Sequence, residues 1–413
     1  MKILMLGDFI KAHRASCAYR VRYLTARALA ERGHEVTYVF PSLESTRSVR
    51  QQELPNFVLV ESPGWFPARF RSGGFGALDT VVKTVEAISG GYDIIHVTSG
   101  QRPAQIIPSL CGRWFRNSSL VCEWWEWHGR GGLADERKGM MGKIMGAYDS
   151  LFELPAKRLY DLTLPITSTL RARLSRWPDV YKRSFVLRGG AEASALRPIG
   201  KPQARSALSI SENLFIFGMS NVHPDDEGDN RLFFDAFCHL AERFPDVRLL
   251  VTGGAEYLHA LLDAFPCRDR VIYPGWLDFE QYNLYLAACD VFVLPLRPTA
   301  RNAGRWPNKI GDYLSLERPI LTNPTGDLEE LFSTKRLGLL CPASSDGFEQ
   351  ACAELMRNPN GLTKLCADGR GLAEQELSFS ARVDRLEELY VQLRQGPRSG
   401  SAARAANRRE SGH

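Results

Sequence analysis

Short apolar runs and segments of helical period alternate along this chain, and the alternation runs through once and then starts again. In the first half Lys2–Leu6 reads as a strand. Tyr19–Arg32 spaces Val21, Leu24, Ala28 and Leu29 at helical intervals, and Gly33 stands where a helix commonly ends on a left-handed residue. Val36–Phe40, Ile94–Val97 and Leu120–Cys122 read as further strands, with a helix from Pro103 to Trp114. The second half restarts with strand Leu214–Gly218, helix Arg231–Phe244 and strand Arg248–Thr252, which runs into Gly253-Gly254. Val271–Tyr273, Val291–Leu294, Ile320–Thr322 and Gly338–Leu340 follow as strands, with helices near Phe279–Ala288 and around Asp312. Short apolar strands separated by helices imply a parallel sheet covered on both faces. The pattern predicts an α/β chain of two doubly wound domains, with ligands where strand carboxyl ends open into a cleft between them.

Length agrees with two cores, since 413 residues exceed what one ordinary core organises. The joint is expected in 197–213, where Pro198, Gly200 and Pro202 cluster, giving domains 1–198 and 199–395. The last helix of the second domain is free to pack back on the first. Residues 396–413, rich in Gly, Ser, Ala and Arg, read as a disordered basic tail. No apolar run approaches the roughly 20 residues needed to span a bilayer. The opening MKILMLGDF reads as a first buried strand and not as a signal peptide. Nine Cys are scattered without a Cys-x-x-Cys, which favours reduced thiols in the cytoplasm and gives a metal site no support.

Charge is uneven. Residues 1–200 hold 28 Lys and Arg against 18 Asp and Glu, or +10, and residues 201–413 hold 24 against 29, or −5. Either this is ordinary surface variation, or the first half meets something anionic, such as a phospholipid surface or a pyrophosphate-bearing substrate. The basic residues are dispersed and no nucleic-acid motif occurs, so a nucleic-acid partner is not expected.

The fragments MKILMLGDF, ALAERGHEVTYVFP, YDIIHVTS, LPITSTLRARL, GGAEASALRP, RFPDVRLLVTGG, DRVIYPGWLD, YLAACDVFVLPL, KIGDYLSLERPILTN and LGLLCP follow one another at natural spacing. In that order they make residues 1 to about 392 resemble the retaining glycosyltransferases of family 4, which have the two-Rossmann "B" architecture. The resemblance implies transfer of a sugar from a nucleotide diphosphate donor, UDP- or GDP-linked, with the anomeric configuration retained. It places the donor on the second domain and a glycan or lipid-linked acceptor on the first. No cofactor and no metal are implied, because backbone amides and basic side chains neutralise the pyrophosphate and stabilise the departing nucleotide.

The resemblance also assigns residues. A family carboxylate that accepts from the ribose diol matches Asp312; the alternative is an ordinary solvated helix residue. A second family carboxylate, eight positions earlier, falls on Gly304 and is missing. The family's diphosphate-binding Lys falls near Gly228 or Asp229, inside the acidic run Asp225-Asp226-Glu227-x-Asp229. Arg305 and Lys309, four apart and able to share a helix face, are expected to replace the lost cations, with backbone N–H groups of Gly304–Trp306 beside them. The alternative is a solvated basic loop. The acidic run reads as a solvated loop in preference to a cation site.

Gly275-Trp276-Leu277 are expected to offer backbone groups to the donor base, and Gly254 is a further substrate-binding candidate. In the first domain His128, ending EWWEWH, matches a family His that contacts the donor sugar, and Gly129-Arg130-Gly131-Gly132 would let backbone approach a ligand. The plainer readings are a satisfied surface His and core Trp residues. His96 suits cleft lining or structure. Gly7 survives from the family's phosphate loop, but Ala15-Ser16 replaces its Gly pair, which leaves Ser16 with Gly7 as the contact candidates. Arg14, Arg20 and Arg22 are candidates for an anionic acceptor.

Residues 63–74 interleave aromatics with Arg, and 138–162 are amphipathic with Lys and Arg, so both suit an anionic membrane surface carrying a lipid-linked acceptor, or else a surface loop and a core-packed helix. The expected activity is thus a retaining, metal-independent glycosyltransferase, cytoplasmic or peripheral at the inner membrane face, with His128, Arg305 and Lys309 as its catalytic set. A nucleotide-sugar epimerase on the same fold and a catalytically silent nucleotide-sugar-binding subunit remain the alternatives.

Overall fold

The computed structural model describes residues 1–8, 17–42, 47–63, 73–193, 195–223, 226–254 and 256–395. The chain forms two compact units, Met1–Gly189 with Phe379–His413, and Gly190–Ser378.

The first unit is built on strands β1 (Lys2–Leu6), β2 (Glu35–Pro41), β3 (Val49–Leu54), β4 (Phe57–Ser62), β5 (Ile94–Thr98), β6 (Ser119–Trp124) and β7 (Leu162–Pro165), in the order β3-β4-β2-β1-β5-β6-β7. All pairings are parallel except β3–β4. The expectation of a wholly parallel sheet is corrected at this edge. Val49-Arg-Gln-Gln-Glu-Leu54 is too polar to be buried on two faces, and an exposed antiparallel edge strand suits it. β1 is apolar because helices cover both sides of it.

The chain moves from β1 to β2 in one direction and from β4 to β5, β6 and β7 in the other. Right-handed crossovers therefore put Cys17–Glu31 on one face and the helices Ala77–Ser89, Pro103–Arg116 and Gly139–Ala156 on the opposite face. Gly112 lies close against β5, where a Cβ would lie 2.1 Å from Ile95 Cδ1 and make that side chain shift.

The final helix, Phe379–Gln395, belongs to this first unit. Arg32 pairs with Asp384 and Glu387 at 2.5 and 2.6 Å, and Tyr390 is fully buried against His96.

The second unit carries β8 (Phe215–Met219), β9 (Val247–Val251), β10 (Val271–Ile272), β11 (Val291–Leu294), β12 (Ile320–Thr322) and β13 (Gly338–Leu340), all parallel, in the order β10-β9-β8-β11-β12-β13. Phe217, Phe233, Phe237 and Phe348 anchor its core. From β8 the chain winds outward through β9 and β10, then returns to β11 on the other side of β8. This reversal opens a crevice at the carboxyl ends of β8 and β11, the place where doubly wound sheets bind ligands.

Candidate functional site

In the second unit, the crevice is organised by one buried carboxylate. Asp229, in the first turn of the helix Glu227–Arg243, has a side chain only 2% exposed. Its Oδ1 accepts from the Arg297 main-chain N–H (3.1 Å) and Nε (2.8 Å), and Asn302 Nδ2 donates to both of its oxygens. Arg305 Nη2 donates to Oδ2 at 3.2 Å. Asp226 accepts from Arg305 Nη1 at 2.5 Å, with Arg301 at 4.0 Å. Burial alone would raise the Asp226 carboxyl; Arg305, Lys309 and Arg301 outweigh burial and hold it below the ordinary carboxylate range. The acidic run therefore does not simply repel anions, because Asp226 and Asp229 are held in a lattice of guanidinium groups.

Arg305 and Lys309 do not share a helix face, which corrects the sequence expectation. Arg305 is extended (φ −106°, ψ 155°), Pro307 interrupts, and the helix Lys309–Ser315 begins at Lys309 itself. Lys309 Nζ donates to the carbonyls of Ser220 (2.9 Å) and Asn221 (3.4 Å), just past β8. The Arg305 N–H is committed to Asn302 O at 3.4 Å, and Gly304 and Trp306 are both buried. The expected amide anion site over Gly304–Trp306 is weakened accordingly.

Asp312 lies in the first turn of Lys309–Ser315 and accepts from the Tyr282 hydroxyl at 3.1 Å. Burial, followed by the Asp312 charge, pushes the Tyr282 phenol well above its ordinary value, so it stays a donor. Next to it, Tyr313 stacks on Phe292 with centroids 4.0 Å apart, and its hydroxyl accepts from Ser220 N–H at 2.9 Å. This pairing ties the helix to the ends of β8 and β11. On the other side of β8, Gly253 N–H donates to Gly275 O at 3.2 Å, and Gly275 takes φ 78°. Gly254 is exposed, with Trp276 so near that a Cβ on it would lie 2.9 Å from the Trp276 Cβ. Trp276 is 58% exposed and Leu277 half-buried.

In the first unit the loop after β6 is held by Glu153, a side chain only 1% exposed on the helix Gly139–Ala156. It accepts from His128 N–H (2.6 Å), Gly129 N–H (3.1 Å), Trp124 Nε1 (3.0 Å) and Arg173 Nη1 (3.0 Å). His128 is fixed by its main chain, while both ring nitrogens are buried with no hydrogen-bond partner among the described residues. Burial, then the charges of Arg102, Lys157, Arg137 and Arg22, push the imidazole well below its ordinary value, so it is neutral. It can exchange hydrogen bonds with a hydroxyl but is not a proton reservoir near neutrality.

The neighbouring glycines answer to packing and not to ligand approach. A Cβ on Gly129 would lie 3.0 Å from Glu153 Oε2, and one on Gly132 would lie 2.2 Å from Trp127 O. The tryptophans carry cations: Arg22 over Trp125, Lys157 over Trp124, and Arg173 over Trp127 at 3.8 Å. His96 is structural, its Nε2 3.0 Å from Glu123 and its Nδ1 bonded to Tyr390. Burial works against the Glu123 charge, but Arg382 and His96 overcome it and hold the carboxyl low.

Gly7 has its N–H committed to Val39 O (2.8 Å), and a Cβ there would lie 2.6 Å from the Tyr38 hydroxyl. Arg20 is half-buried in Cys17–Glu31. Ser16, Arg14, Asp225, most of 63–74 and the tail 396–413 lie outside the described residues. Sequence reasoning missed Asp229 as an organiser, Arg297, Tyr282 and Glu153. A strand-end cation in LPLRP was the one visible signal among them.

The model of the family "Glycosyl transferases group 1" matches residues 215–358, which run from β8 past β13 and contain all of this crevice. That match covers about a third of the 413-residue chain. Around the matched segment, the chain has the B-type glycosyltransferase fold. It is similar to sucrose-phosphate synthase from Thermosynechococcus elongatus, 17% identical, with TM-score 0.71 over 95% of this chain and 99% of that one. It is also similar to HepE of Anabaena in complex with UDP, 15% identical, with TM-score 0.66 over 94% of this chain and 99% of that one. A curated relative, 22% identical over 254 residues, is the GDP-mannose-dependent alpha-(1-6)-phosphatidylinositol monomannoside mannosyltransferase of Mycolicibacterium smegmatis. That match takes in 55% of this chain and 65% of the mannosyltransferase.

Proposed function

We propose that the chain transfers a sugar from a UDP- or GDP-linked donor to a glycan or lipid-linked acceptor, with retention of anomeric configuration. The observation that carries this reading is the crevice within residues 215–358, which match the group 1 glycosyl transferases. There a carboxylate oriented by Tyr282 lies near the cations Arg297, Arg305 and Lys309 at adjacent strand ends. Asp312 accepts from the ribose diol. Lys309 and Arg305 keep the crevice cationic where the leaving diphosphate gathers charge, which is the main stabilisation such a transfer needs. The backbone of Gly254 and Gly275–Leu277 meets the base. In the first unit, neutral His128 offers its ring nitrogens to a sugar hydroxyl. Departure and attack on one face of the sugar give retention. A relative that uses GDP-mannose and a structural neighbour holding UDP support a nucleotide-linked donor.

Association with an anionic membrane surface accompanies this reading. Among the described residues no helix is long and apolar enough to cross a membrane. Yet Val81, Val85, Ile107, Trp114, Phe115, Met140, Ile144 and Leu151 are all exposed, and all lie on the three helices that share one face of the first sheet. Every carboxylate of those helices is withdrawn: Asp79, Asp149 and Glu153 are buried, and Glu86 pairs with Arg50 at 2.6 Å. Lys143 and Arg116 stay exposed. On these three helices the exposed charges beside the apolar side chains are cationic, which suits anionic headgroups.

The test is incubation with UDP- and GDP-hexoses and a panel of glycan and lipid-linked acceptors, the product anomer being read by NMR. A glycosylated acceptor with the donor's configuration is expected. An epimerised donor, or nucleotide-sugar binding without turnover on any acceptor, contradicts the proposal. Flotation with phosphatidylglycerol vesicles tests the membrane part, with binding expected and its absence contradicting it.

A further inference from the structure

Arg297 has the geometry of a ligand-binding guanidinium that nothing so far has used. It follows β11 by three residues, at the carboxyl end of one of the two strands that flank the crevice. Its main-chain N–H and Nε are both tied to buried Asp229, so one edge of the planar group is fixed. The side chain is 43% exposed, and Nη1 and Nη2 have no hydrogen-bond partner among the described residues. Arg305 differs, with both terminal nitrogens committed to Asp226 and Asp229 and a side chain only 17% exposed. Lys309 is engaged with two carbonyls.

Position 228 provides an independent observation. A Cβ on Gly228 would lie 2.6 Å from Arg297 Cζ and 2.8 Å from each Nη. The guanidinium thus occupies the space a side chain at 228 would fill, and glycine there is the condition for its placement. An Arg anchored through Nε and open at both Nη is pre-organised for a planar, two-point grip on phosphate oxygens, with little side-chain freedom left to lose.

Resting on the donor reading above, we propose that Arg297 is a further donor-binding residue whose Nη1 and Nη2 hold the diphosphate, in room that Gly228 leaves open.

The experiment is calorimetric titration of UDP and GDP into the full chain and its variants R297Q, R297K and G228A, with the thermal midpoint of each unliganded protein as control. Loss of a charged hydrogen-bond pair should weaken the preferred nucleotide about 10- to 100-fold in R297Q. R297K, which keeps the charge and loses the fork, should fall between wild type and R297Q. G228A removes no charge and improves helix propensity, yet should weaken binding about 3- to 10-fold by displacing the guanidinium. Wild-type affinity in R297Q overturns the inference. So does wild-type affinity in G228A, which would show that the guanidinium need not lie there. A fall in affinity matched by a collapse of the unliganded midpoint in R297Q and R297K, with G228A unaffected, assigns Arg297 a structural role through Asp229 and also overturns it. If the wild-type protein binds neither UDP nor GDP, the donor reading itself falls.

Discussion

Glu153 in the first unit and Asp229 in the second perform the same task with opposite results. Each is a buried carboxylate on a helix, and each gathers the donors of a loop that follows a strand. Glu153 gathers mostly neutral donors, two main-chain amides and an indole, with one Arg. What it leaves is an uncharged imidazole whose two buried nitrogens have no hydrogen-bond partner among the described residues. Asp229 gathers two guanidinium groups and an amide, one of the guanidinium groups shared with Asp226, and what it leaves is the Arg297 guanidinium open to solvent. The first arrangement suits hydroxyls and the second suits phosphates. The contrast lies in what remains after the carboxylate is satisfied, more than in the carboxylate itself.

The severest way to break the comparison is Glu153→Ala. It removes the buried carboxylate that half-buried Arg173 pairs with and frees the His128 loop, so unfolding in urea should show a loss of about 3–5 kcal/mol. A loss below 1 kcal/mol would mean Glu153 does not hold that loop. Next in size, Asp312→Asn should weaken the nucleotide about tenfold by removing the charged acceptor from the ribose. It should also narrow the difference between the ribo- and 2′-deoxyribonucleotide measured by calorimetry. Equal losses for both sugars would remove Asp312 from the ribose. Tyr282→Phe removes only a neutral donor to that carboxylate, and a decrease of about 3- to 10-fold in affinity is expected.

The smallest expected effect is a pH slope. His128 has a folded-state value depressed below its unfolded one, so the unfolded chain binds the extra proton first. The stability it contributes is complete above about pH 6.5 and is lost as pH falls from there toward its lower folded value. Stability curves for wild type and His128→Gln should therefore converge as pH falls below that point. Parallel curves would mean the imidazole takes up its proton as readily in the folded chain as in the unfolded one, and the contrast with the second unit would fail.

How much of this was legible in the sequence depends on locality. Lys2–Leu6, Val291–Leu294, Ile320–Thr322 and Gly338–Leu340 could be read to the residue, because a strand covered on both faces is a short apolar run between turns. β3, β4 and β7 were not read. β3 is a polar edge, β4 shares its hairpin, and Leu162–Pro165 is four residues ending in Pro. Asp312 could be placed at its helix start, but its partner Tyr282 lies thirty positions away on another helix. The pairing of the basic loop with the acidic run spans 76 positions for Arg305 and 68 for Arg297. Local spacing therefore suggested a solvated acidic loop and a helix-face pair where the fold makes one lattice. Pro307 was visible in the sequence and is what separates Arg305 from Lys309.

The most direct measurement of the central claim is a crystal structure of the chain soaked with UDP or GDP. The account expects the diphosphate within hydrogen-bonding distance of Arg297 at the ends of β8 and β11, and the ribose diol on Asp312. A nucleotide bound elsewhere, or with its phosphates turned away from Arg297 and its ribose away from Asp312, would contradict it.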